Sequence, residues 1–184
     1  MPDPFISVQD LTDYLGRDVT TDDGALFAVD AACDTCRTVA EQSFNETVGD
    51  VITLDGSGTD ALLLPRLPVN AAGTVLVSGS AITDYMLNGN GILFRGSVGA
   101  ALDAADPRPV WPAGRQNVVV TYDHGYGTVP ASVRMVALSI ATRLIVQGVA
   151  MEETVGDVKV RYCVAATDLT NGERRILGKY KQIR

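Results

Sequence analysis

Residues 118–148 read VVVTYDHGYGTVPASVRMVALSIATRLIVQG, and the change of texture inside this stretch decides the fold. Val118, Val120 and Tyr122 share one face of a strand at period two, with Val119 and Thr121 on the other. Such a valine-rich run predicts a sheet covered on both sides. Asp123 to Gly127 break the strand: Gly125 and Gly127 permit positive φ, and Pro130 suits the first turn of a helix, where a missing N–H costs nothing. In the helix that follows, Ser132, Ser139, Arg143 and Gln147 form one narrow polar stripe. Val133, Val136, Leu138, Ile140, Ala141, Leu144 and Ile145 cover most of the remaining circumference. A helix this apolar is expected at the centre of its domain. Arg134 lies off the stripe. Its stem is expected along the edge of the core with its head in water, the alternative being an ion pair with an acidic residue of an earlier helix.

Outward from this stretch, the chain reads helix, sheet, helix. Ser7 is an N-cap with Asp10 in the capping-box position, Val8, Leu11 and Leu15 share a face, and Gly16 is the stop. A second helix, capped by Thr20 or Thr21, places Leu26, Val29, Cys33, Cys36, Ala40 and Phe44 on an apolar face. Its other side carries Asp23, Asp30, Asp34 and Glu41 in a stripe that Arg37 partly offsets. A solvated face is the plain explanation, a subunit contact or channel lining the sharper one. From Glu46 to Asn117 short apolar runs alternate with glycine, proline and asparagine, which predicts strands near 51–54, 61–64, 74–77, 83–87 and 92–94. Asn88-Gly89-Asn90-Gly91 reads as a type I′ hairpin turn rather than a phosphate loop, because a strand and not a helix follows it. Trp111, among three prolines, is expected to plug a core edge. Val158, Val160, Tyr162 and Val164 alternate with Lys159, Arg161 and Cys163, a strand with a basic face. Thr170 and Glu173 form a capping box for a last helix, with Ile176, Leu177, Tyr180 and Ile183 on its apolar side and Arg174, Arg175, Lys179 and Lys181 on the other.

With 184 residues, 46% hydrophobic and 20% charged, the chain can bury a real core without disulfides. The sequence predicts neither a signal peptide nor a membrane span, so the protein is expected in the cytosol when made. The net charge of -7 argues against general coating of nucleic acid. Residues 1–60 hold thirteen acidic side chains against Arg17 and Arg37, a net of -11. Residues 157–184 hold seven basic side chains, Arg184 among them, against three acidic ones, a net of +4. Complementary ends are satisfied either inside one subunit or between copies packed head to tail, which form rings when the rotation closes.

Chemistry finds little context. Cys33 and Cys36 have redox-motif spacing but fall mid-helix on the apolar face, so small core residues explain them; a zinc site from Cys33, Cys36, Cys163 and His124 is the alternative. His124 is the single histidine, and its neighbour Asp123 points to the opposite face of an extended chain. The serines lack a nucleophile elbow. No cofactor, metal or catalytic residue is expected.

The run Val118-Val119-Val120-Thr121-Tyr122-Asp123-His124-Gly125-Tyr126, then Val129-Pro130-Ala131-Ser132-Val133-Arg134 and an aliphatic helix, resembles the head-to-tail connector (adaptor) proteins of long-tailed bacteriophages. Trp111-Pro112 and the segment from Glu152 to Tyr162 extend the resemblance over roughly the second half of the chain. It implies a non-enzymatic ring of about twelve copies beneath the portal, located at the head–tail junction of a virion after assembly in host cytoplasm. Its implied partners are further copies of itself, the portal protein and a tail-side neck protein. DNA would pass through an acidic lumen without sequence-specific binding. The alternatives are another neck or tail-completion ring, or a small cytosolic enzyme using Asp123, His124 and the cysteines. The expected fold is α+β: a helical platform from residues 1–45 and 129–184, with a long central apolar helix, and a β-rich insertion from 46–128 that exceeds a minimal all-helical adaptor. Subunit or portal contacts are expected at Asp23, Asp30, Asp34, Glu41, Lys159, Arg161, Arg174, Arg175, Lys179, Tyr180, Lys181 and Arg184.

Overall fold

The computed structural model describes residues 3–96, 109–147, 152–155, 158–161 and 168–181. It divides into a mainly helical unit, residues 1–44 and 128–183, and a β unit, residues 45–127.

The helical unit holds α1 (Val8–Leu15), α2 (Ala25–Ala40), α3 (Ala131–Gln147) and α4 (Asn171–Gly178). Local rules set their ends. Ser7 and Asp10 form a reciprocal capping box on α1, and Gly16 closes it at φ 66. Thr170 and Glu173 form a second box on α4. For α2 the expected cap is wrong. Thr20 bonds back to Asp18 instead, and the helix opens at Gly24 with no side-chain cap. That late start leaves Leu26 63% exposed, whereas the core is lined by Ala25, Ala28, Val29, Ala32, Cys33, Cys36 and Ala40.

Helix α3 packs against α1, α2 and α4. Val133, Val136, Ala137, Ile140 and Ala141 are buried, but Leu138, Leu144 and Ile145 are only half-buried, and Met135 and Val146 are exposed. The outward side of the helix thus exposes Met135 and Val146, with Thr142 between them. Ser132, Ser139 and Arg143 of its polar stripe do not simply face solvent. Ser132 Oγ lies 3.0 Å from Tyr180 Oη, and Ser139 and Arg143 both donate to Glu173 of α4. Arg134 makes the alternative contact, reaching Asp10 of α1 at 2.8 Å with its side chain still 40% exposed. Burial pushes the Asp10 carboxyl up. Hydrogen bonds from the backbone and hydroxyl of Ser7, with the Arg134 charge, outweigh it and hold the group below its ordinary value.

The β unit contains β1 (Thr47–Gly56), β2 (Ala61–Leu63), β3 (Val69–Val77), β4 (Ser80–Ile82), β5 (Tyr85–Leu87), β6 (Ile92–Arg95) and β7 (Gly114–His124). One antiparallel sheet runs β1-β7-β3-β4, a second β2-β6-β5. The first contributes Val75, Val118, Val120 and Tyr122 to a shared core, the second Leu62 and Leu93, with Leu64 and Trp111 completing it. Trp111 is fully buried, and its indole N–H, between the carbonyls of Asp60 and Leu93, is 3.1 Å from each. The alternate residues of β7, Val119, Thr121 and Asp123, are half-buried, so this strand is sealed on one face rather than two. The expected type I′ turn is also displaced. Positive φ at both central residues occurs at Ser78-Gly79, between β3 and β4. At Asn88–Gly91 only Gly91 is left-handed, and the Asn88 side chain closes the loop by accepting from the N–H groups of Asn90 and Ile92. In the helical unit's sequence range, β8 (Glu152–Val155) and β9 (Val158–Arg161) form a two-stranded hairpin, so the expected strand after α3 has a partner that its own alternation did not reveal.

Candidate assembly surface

The outward side of α2 is built by spacing. Phe27 falls four residues after Asp23 and three before Asp30, and Asp34, Arg37 and Glu41 continue the same stripe. Phe27 is 71% exposed, opposite the buried Ala32 and Cys36 side of the helix, with Leu26 beside it. The acids of the stripe have different fates. Asp34 pairs with Arg37 at 2.8 Å. Arg37 also donates to the Asp3 carbonyl and lies over the Phe5 ring, its side chain mostly buried. Glu41, at the left-handed C-cap, pairs with Lys181 at 2.7 Å. Asp23 and Asp30 have no ion pair among the described residues. Two of the four expected contact acids therefore have partners within their own unit, and the open charge gathers around Leu26 and Phe27. The reading of Leu26 as core missed this apolar pair. The signal was available in the position of Phe27 within the acidic stripe.

The basic residues divide similarly. Tyr180 is half-buried, edge-on to Phe44 with ring centroids 5.9 Å apart, and Lys181 belongs to the Glu41 pair. Arg174, Arg175 and Lys179 are exposed along α4, with Arg174 Nε also donating to the Leu169 carbonyl at 3.3 Å. Lys159 and Arg161 lie in β9, but their side chains fall outside the described residues, as does Arg184 altogether.

Helix α4 is anchored by its buried acid. Glu173 Oε1 accepts from Arg143 at 2.8 Å and from Ser139 at 3.0 Å, while Oε2 accepts from the Thr170 N–H at 2.8 Å. Burial raises the Glu173 carboxyl, and these hydrogen bonds together overcome it and hold the group below 4.5. The apolar side of α4, with Leu177 fully buried, is thus engaged within its own unit.

None of the groups considered for chemistry converge. Cys33 and Cys36 are buried free thiols; desolvation pushes Cys33 up and Cys36 to about 12. His124 Nε2 lies 3.0 Å from Asp50 across the sheet, and Asp123 instead accepts from the Gly49 N–H. Among the described residues no cluster of His, Cys, Asp and Glu could hold a metal ion, and no helix is long and apolar enough to cross a membrane. Cys163 lies outside the described residues.

The fold has counterparts in solved particles. A chain from the neck of a native GTA particle, computed with C12 symmetry, aligns over 96% of this chain and 88% of its own at TM-score 0.60 and 16% identity. One from the neck of an empty GTA particle, computed with C6 symmetry, aligns over 97% and 90% at TM-score 0.61 and 16% identity. One from the virion of a native gene transfer agent particle covers 100% and 93% at TM-score 0.60 and 15% identity. At that identity the likeness is one of fold, and it runs through both units. No family model and no curated protein sequence matches the chain.

Proposed function

We propose that this protein is a structural, non-enzymatic neck subunit of a phage-like particle. Twelve copies would close into a ring between portal and tail, with DNA passing through the lumen. The observation that carries this reading is the fold shared across 96 to 100% of the chain with neck and virion chains, one set computed with twelvefold symmetry. The coverage includes the β unit, which therefore supports the reading instead of standing apart from it. The excess of acid suits a conduit for DNA, because a lumen that repels phosphate lets a duplex slide.

Particles carrying a small tag on this protein, imaged after labelling with gold, test the proposal. Label confined to the head–tail junction, with unjoined heads and tails accumulating when the gene is silenced, is the expected result. Label at the distal tail, or normal particles without the protein, would refute it. The portal-side and tail-side faces of the neck are separated by whether the protein stays with heads or with tails when the particles are broken.

A further inference from the structure

We infer that neighbouring copies join through two unlike faces of the helical unit: Leu26 and Phe27 of one copy seat on the outward face of α3, at Met135 and Val146, of the next. This deepens the ring reading and rests on it. Both faces are apolar and open, with Phe27 71%, Leu26 63%, Val146 55% and Met135 49% exposed. Half-buried Thr142 lies between Met135 and Val146 on the same line of the helix, with half-buried Leu138 and Ile145 along its edge. An apolar pair that includes an aromatic ring, bordered by charge, is the usual form of a contact centre, with polar groups at the rim orienting it.

Charge identifies the occupant as a second copy. Asp23 and Asp30, without ion pairs among the described residues, flank Leu26 and Phe27. The α3 face is bordered by α4, docked on the adjacent Ser132, Ser139 and Arg143 stripe, and α4 exposes Arg174, Arg175 and Lys179. An acidic rim thus meets a basic one. Position agrees: α2 packs on α3 through its buried side, and each exposed patch lies on the side of its helix away from the buried one. Complementary patches pointing away from each other make a head-to-tail contact that continues from copy to copy, unlike a two-fold contact, which stops at two.

The test uses the full chain in sedimentation, with Phe27→Asp and Met135→Asp made singly. Wild type should self-associate below about 1 mM, and each variant should associate at least about tenfold more weakly while keeping its melting temperature. Mixing the two variants should restore association, but only to a one-to-one pair of twice 19.5 kDa, because each variant retains the one face the other lacks. If Met135→Asp lowers the melting temperature, Val146→Asp takes its place. A wild type that stays monomeric to about 1 mM, variants that associate normally, or a mixture that stays monomeric would each overturn the contact. Twelvefold rings that persist in both variants would sink this contact and leave the ring reading intact. Open chains built through these faces would keep the contact and sink the ring.

Discussion

Glu173 shows how one buried side chain sets the place of a whole helix. It caps α4 from within and receives Arg143 and Ser139 from α3, so its removal is felt at two elements. Glu173→Gln leaves the largely buried Arg143 guanidinium without its counter-charge and should cost about 3 kcal/mol, measurable by denaturant unfolding. Its titration has a definite sign. The folded carboxyl lies below 4.5, so its contribution is complete above about pH 4.5 and is lost as pH falls through the folded value. The melting temperature of Glu173→Gln should therefore fall less than that of wild type between pH 6 and 3. An equal fall would mean that Arg143 does not favour the charged form. The thiols give a second expectation: with Cys36 pushed to about 12 and both side chains buried, Cys33 and Cys36 should resist iodoacetamide at pH 8 until the protein unfolds. Rapid native labelling, read by peptide mass, would contradict their burial.

Among the elements, those governed by adjacent residues were the ones legible in the sequence. Both capping boxes, the Gly16 stop and the alternation of β7 follow from contacts a few residues apart, and the structure has them where spacing puts them. Pairing was not legible. The sheet order β1-β7-β3-β4 joins strands far apart in the chain, and the partner of β9 is a strand whose sequence, Glu152–Val155, lacks alternation. The candidate surface was legible only in its charges. Leu26 was misplaced because it stands in the first turn at the edge of the apolar face of α2, and the outward side of α3 was hidden because aliphatic residues over most of a helix's circumference do not declare which side is uncovered. Helix α4 belongs to its own unit's core, where Leu177 is fully buried. Leu177→Ala should cost about 2–5 kcal/mol, and removing residues 170–184 should lower the melting temperature sharply. A truncated chain that melts like wild type would mean that α4 adds nothing to that core.

For the whole molecule, the opposed charges of the two ends concern encounter more than holding. Exposed ion pairs contribute about 0–1 kcal/mol each, so added salt should slow assembly while changing the final affinity little. Asp30→Lys is the cleaner reversal, since Asp34 already serves Arg37. It should slow assembly at low salt, checked by stopped-flow light scattering; rates indifferent to both salt and Asp30→Lys would remove electrostatics from the account. The β unit suggests a different consequence. Its two ends meet: Asn45 and Tyr126 form a parallel bridge, and a Cβ at Gly125 would lie 2.2 Å from the Asn45 carbonyl oxygen. A segment whose ends lie side by side can be exchanged as a cassette, with a short linker from residue 44 to 128 closing the gap it leaves. A segment of this kind can be replaced whole while the helices stay, and its two adjoining ends are where a laboratory chimera should be cut.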